Sequence, residues 1–219
     1  MTAGGGLAFA ERPAAGAAAG ALVLLHGRGT DEHDLLPIAD ALDPERRLHV
    51  LTPRGPLSLP PGGAHWYRLG GIPTPEPTTF HSSRELLDAW LRGVPERTGV
   101  PWERTVLGGF SQGCVMSYAL GLGAGRPSPA GILAMSGFIP EVPGFALELG
   151  ERRGLPAFLF HGVADPIIPV EYGRTAAERL REAGLEVEHH EALIGHGVDP
   201  DSLDPMRRWL DRALGVAAG

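Results

Sequence analysis

An α/β fold with a mostly parallel central sheet is the architecture this sequence predicts, on three observations. Short apolar runs alternate with longer amphipathic ones along the chain, the pattern of repeated strand–helix–strand units. Several short runs, residues 21–25 and 131–135 among them, are apolar without interruption, as strands covered on both faces must be. The pentapeptide Gly109-Phe110-Ser111-Gln112-Gly113 lies between the apolar run Thr105-Val106-Leu107 and the helix-like stretch 114–120, giving the order strand, sharp turn, helix.

From the N-terminus, residues 1–20 are rich in Gly and Ala and predict a flexible segment ahead of one domain over 21–215. Strands are expected at 21–25, 48–52, 105–107, 131–135, 157–160 and 185–190, where apolar and β-branched residues cluster between turn signals. Helices are expected at 34–42, 83–98, 112–121, 170–183 and 202–214. In the second of these, Ser82 and Glu85 have capping-box spacing, and Leu86, Leu87, Trp90, Leu91 and Val94 supply the inward stripe. The longest irregular stretch, 53–79, holds seven Pro and five Gly around Trp66-Tyr67. A loop of that length inside a compact domain is functional or disordered, and its aromatics favour function. The tail after Leu214 is expected to be mobile, and at 219 residues the chain can bury one sizeable core. No internal repeat or linker divides it.

A net charge of −7 and the lack of any basic run argue against a nucleic-acid or anionic-membrane partner. Every basic residue is Arg, which reads as compositional bias. The single cysteine, Cys114, rules out an intrachain disulfide and points to a reducing, cytoplasmic location. It reads as a small buried hydrophobe. The apolar stretch 14–25 lacks a basic n-region and runs directly into His26-Gly27, so it is read as a loop and a buried strand rather than a signal peptide. No apolar run reaches the roughly 18 residues of a membrane span.

The turn around Ser111 predicts a nucleophile elbow, in which a serine hydroxyl is lifted out of the end of a parallel sheet. Such a serine needs a base and an orienting acid later in the chain. Asp165, in Phe160-His161-Gly162-Val163-Ala164-Asp165-Pro166, is the only Asp between Ser111 and His196. His196, in Ile194-Gly195-His196-Gly197, is the candidate base, since flanking glycines let the ring approach the elbow. All three fall at the carboxyl ends of expected strands, where open α/β sheets hold their ligands. His189 and His190 lie within a strand, His161 is expected to hold loop structure, and His33, His49, His65 and His81 precede the serine. No set of His, Cys and carboxylates has convincing metal-ligand spacing, so neither metal nor cofactor is expected. The segment His26-Gly27-Arg28-Gly29, after the strand at 21–25, can offer an oxyanion donor. The expected donors are the backbone N–H groups of Arg28 and Gln112.

Taken with Trp66-Tyr67 and Met135-Ser136-Gly137-Phe138-Ile139-Pro140, these motifs resemble the carboxylesterase, lysophospholipase and acyl-protein thioesterase family of α/β-hydrolases over residues 22–214. The resemblance implies the α/β-hydrolase fold, with Ser111 as nucleophile, Asp165 and His196 as its partners, and the amides of Arg28 and Gln112 as oxyanion hole. It also implies no separate cap domain, and only about twenty residues separate the strands at 131–135 and 157–160. The thioesterases of this family usually carry Leu after His-Gly. This chain has Arg28, as in a bacterial branch of esterases. The expected activity is hydrolysis of small carboxylic esters, with lysophospholipase or thioesterase activity open. An acyltransferase or perhydrolase with the same triad, and a non-catalytic binding protein, are the alternatives, and a homodimer stays open. Trp66, Tyr67, Leu69, Ile72, Phe138, Ile139 and Ile168 are candidates to line the acyl pocket. The Arg28 guanidinium either favours an anionic substrate or pairs with Asp31 or Glu32.

Overall fold

The computed structural model describes residues 6–216. In chain order its strands and α-helices are β1 (Phe9–Arg12), β2 (Gly20–Leu25), α1 (Leu36–Leu42), β3 (Leu48–Pro53), β4 (Leu57–Leu59), β5 (Gly63–His65), α2 (Pro77–Arg92) and α3 (Val94–Thr98). There follow β6 (Thr105–Phe110), α4 (Gln112–Gly121), β7 (Gly131–Met135), β8 (Pro156–Gly162), α5 (Val170–Glu182), β9 (Glu186–Ala192) and α6 (Leu203–Leu214). The main sheet runs β1-β3-β2-β6-β7-β8-β9. Only β1 is antiparallel to its neighbour.

Period-2 alternation explains why the central strands are apolar throughout. Leu22 and Leu24 face one side, where Leu42 of α1 and Met206, Trp209 and Leu210 of α6 cover them. Val23 and Leu25 face the other, packed with Phe80 and Leu87 of α2, Val115 of α4 and Leu180 of α5. The central strands thus bury both faces, the condition for a parallel sheet.

Several elements differ from expectation. The sheet begins well before residue 21: Phe9–Arg12 pairs with β3, from Val50 to Pro53. Only Arg12 of this strand is buried, so there was no apolar alternation to read. Of the segments expected to be mobile, 1–20 and the tail after Leu214, residues 1–5 and 217–219 lie outside the described residues. The second helix starts six residues earlier than expected, with Pro77 in its first turn and Glu76 accepting hydrogen bonds from Thr78 and Thr79 N–H. Ser82 is therefore interior to the helix and caps nothing. Gly93 and Pro95 then break the expected single helix into α2 and α3. Within 53–79 the chain folds back on itself as the hairpin β4–β5, pairing Leu57 with His65. The segment between β7 and β8 forms no cap domain; it holds one short 3-10 turn, Leu149–Arg152. Among the described residues no helix is long and apolar enough to cross a membrane.

Candidate active site

Ser111 sits between the end of β6 and the first residue of α4 with φ 55° and ψ −117°, a left-handed conformation that side-chain-bearing residues avoid. The local sequence makes that turn possible. A Cβ at Gly113 would run into the Leu25 carbonyl, and one at Gly109 into the backbone of Gly113. Neighbouring strands hold the turn, since Ser111 N–H donates to the Met135 carbonyl at 2.9 Å.

The structure brings Ser111, His196 and Asp165 together from three different strand ends. His196 Nε2 lies 2.9 Å from Ser111 Oγ, and its Nδ1 lies 2.6 Å from Asp165 Oδ2. A carboxylate only accepts, so Nδ1 carries the proton and Nε2 is left to accept from the serine hydroxyl. The second oxygen, Asp165 Oδ1, accepts from the N–H groups of Ile167 and Ile168 at 2.8 and 2.9 Å. Burial alone would raise this carboxyl, but the hydrogen bond from His196 and those from Ile168 and Ile167 outweigh it and hold it below the ordinary carboxylate value. Phe110 packs tilted against the His196 ring, with centroids 4.8 Å apart. His161 is buried behind the acid, with Nε2 2.8 Å from the Ile168 carbonyl and 3.4 Å from Asp165 Oδ2. The acid five residues before the base, Glu191, is turned to Arg174, which holds it bidentately at 2.8 and 2.7 Å. Cys114 is buried, and burial pushes its thiol well above the ordinary value.

On the other side of the elbow, β2 delivers the His26-Gly27-Arg28-Gly29 turn. Among the described residues, neither Arg28 N–H nor Gln112 N–H donates to a backbone carbonyl, and Gln112 begins a helix with no side-chain cap. Both amides are therefore available to an oxyanion. The turn is fixed by His26, whose Nε2 accepts from Gly55 N–H at 2.9 Å while Nδ1 lies 2.7 Å from Gly27 O. Desolvation by burial lowers the His26 pKa, so the ring stays neutral. The Gln112 side chain clamps the strap after β5. Its Oε1 accepts from Trp66 N–H at 3.0 Å and its Nε2 donates to Tyr67 O at 2.9 Å.

A cavity of about 410 Å³ opens above Ser111. Of the expected pocket residues, Tyr67, Leu69, Ile72, Phe138 and Ile168 line it, alongside Arg28, Gln112 and His196. Trp66 does not. It is fully buried behind the strap, and its Nε1 donates to the His26 carbonyl at 2.9 Å. Ile139 is also absent from the lining and buried. Ile167, missed in the sequence, lines the cavity and is 59% exposed. Its signal was available, since an apolar residue two positions after the acid must share the acid's loop. Away from the cavity, Asp31, Glu32 and His33 converge, and Arg54 is ion-paired with both acids at 3.9 and 2.8 Å.

The family profile described as phospholipase/carboxylesterase matches residues 10–214. Acyl-protein thioesterase 1 of Yarrowia lipolytica is 28% identical over 92% of this chain and 95% of its own length. That of Emericella nidulans is 32% identical over 63% of this chain, which spans only 59% of the fungal protein. The crystal structure of esterase PE8 superposes with a TM-score of 0.78 at 27% identity, covering 95% of this chain and 99% of that one. The Bacillus cereus carboxylesterase gives a TM-score of 0.80 at 22% identity over 94% of both chains, a likeness of fold.

Proposed function

Because the chain belongs to the phospholipase/carboxylesterase family of α/β-hydrolases, we propose that it is a serine hydrolase that cleaves carboxylic esters through Ser111, His196 and Asp165. The observation that carries this reading is the relay of hydrogen bonds from a buried carboxylate through an imidazole to a serine hydroxyl at the floor of an apolar cavity.

His196 Nε2 takes the Ser111 proton as Oγ bonds to the acyl carbon and the carbonyl electron pair moves onto its oxygen. That oxyanion accepts from the N–H groups of Arg28 and Gln112, each such donor contributing on the order of a hundredfold or more in rate. The imidazolium, held by Asp165, then protonates the leaving alkoxide as its C–O bond breaks. Water deprotonated by His196 attacks the acyl-enzyme and releases acid and free serine. Leu69, Ile72, Phe138, Ile167 and Ile168 provide apolar contact for the substrate. The same steps cleave a thioester, the linkage named for the fungal relatives.

A fluorophosphonate probe tests the reading directly. It should attach once, at Ser111, and Ser111→Ala should abolish both labelling and hydrolysis of p-nitrophenyl esters. Labelling at Ser117 or Ser136, or undiminished turnover by the Ala variant, would overturn it. Product partitioning toward added alcohol or peroxide would instead mark a transferase or perhydrolase.

A further inference from the structure

Resting on that reading of Ser111, we infer that the site selects esters carrying an anionic group, a carboxylate or a phosphate, and that the Arg28 guanidinium is what holds it. Among the described residues, Arg28 is the only Arg, Asp or Glu in the lining of the cavity. Its side chain is exposed. The acids nearest to it in sequence, Asp31 and Glu32, are already engaged by Arg54. Among the described residues the Arg28 side chain has neither hydrogen bond nor ion pair. Five N–H donors in a fixed fork, with no protein acceptor among the described residues, therefore belong to a residue that lines the cavity holding the nucleophile.

The sheet order gives the cavity two unlike ends. Ser111 follows β6, Arg28 follows β2 on one side of it, and Phe138 and Ile168 follow β7 and β8 on the other. A substrate lying across Ser111 meets aliphatic and aromatic surface toward β7 and β8 and a cation toward β2. A bipartite molecule, part hydrocarbon and part anion, fits that division. The chain's net charge of −7 repels anions generally, so binding one here requires a local cation. A guanidinium supplies charge and, to a carboxylate or phosphate, two parallel hydrogen bonds.

Two matched pairs of substrates test this and separate the two sources of anion. For carboxylate on the acyl side, p-nitrophenyl pentanoate is compared with the p-nitrophenyl half-ester of adipate. For phosphate on the alcohol side, 1-butyrylglycerol is compared with 1-butyrylglycerol 3-phosphate. The readout is the ratio of kcat/KM, anionic over neutral, after subtraction of spontaneous hydrolysis. In at least one pair the ratio should be about tenfold or more, carried by KM, and should shrink as salt is raised. Arg28→Leu should bring it to about one, and Arg28→Glu should invert it; a ratio is insensitive to any change these substitutions make in the backbone donor. Wild-type ratios near one in both pairs, or a preference that survives Arg28→Leu, would overturn the inference while leaving the hydrolase reading intact. No turnover of either neutral ester would sink both.

Discussion

At Asp165, one carboxylate orients a ring and holds its own loop, and the two tasks can be separated. An Asn at this position can keep its carbonyl oxygen on the Ile167 and Ile168 N–H groups while turning its amide N–H toward His196 Nδ1. That forces the imidazole proton onto Nε2, facing Ser111, where it blocks proton transfer. Asp165→Asn should therefore fold normally and lose on the order of 10⁴-fold in kcat. Retention of more than about a tenth of the activity would remove Asp165 from the reaction. His26 gives a prediction about pH. Burial lowers its pKa in the folded chain, so below about pH 6.5 the unfolded state binds a proton that the folded state refuses. Stability should rise with pH through that window and fall on acidification. The slope of the urea midpoint between pH 7 and pH 5 should flatten in His26→Asn relative to wild type, and not in the exposed control His33→Asn. Equal slopes in all three proteins would remove His26 as the source.

Elements and turns whose determinants lie close together in the chain were legible in the sequence; those fixed by distant partners were not. The β6–α4 turn could be read because two glycines and a serine in five residues carry its geometry. Ser111, Asp165 and His196 could be singled out because chain order and strand ends restrict the choices, and the structure brings them within hydrogen-bonding distance. The role of Trp66 could not be read. Nothing nearby in sequence says that a hairpin of three-residue strands will turn its indole N–H onto the carbonyl of His26, forty residues earlier. In sequence Pro77 counts with the other prolines of 53–79 as loop punctuation, although its missing N–H is harmless in a helix's first turn. The clamp between α4 and the strap is similarly non-local, and it yields a prediction at this scale. Gln112→Ala leaves the Trp66 N–H and Tyr67 C=O buried without their partner, at about 1–3 kcal/mol for each group. Unfolding in urea should show that loss, and the strap at residues 66–76 should be cut faster by a low level of protease. Unchanged cleavage would mean that the strap is held by its apolar contacts alone.

Across the whole molecule, the sheet is closed at one edge by its short antiparallel strand, β1. Arg12 of β1 reaches the wholly buried Asp43 at 2.7 Å, and Asp43 also accepts from the N–H groups of Arg47 and Leu48 at the start of β3. This joins the first strand, the end of α1 and β3 through one carboxylate. Removing Arg12 leaves the buried carboxylate with Arg47 Nε, at 3.5 Å, as its counter-charge, so Arg12→Met should cost about 1.5–3 kcal/mol in chemical unfolding, the loss of a hydrogen bond to a charged group. A loss under about 1 kcal/mol would show that backbone pairing alone keeps β1 in place. At the opposite end of the packing, Cys114 lies in the first turn of α4, where the space beside it is so tight that a Cβ on Gly137 would collide with its sulfur. The chain has no other thiol. A disulfide reagent in solution can react only with molecules whose α4 has momentarily left the sheet, and the rate relative to the denatured chain counts them. The fold thus carries its own gauge of how firmly the turn bearing Ser111 is kept in place.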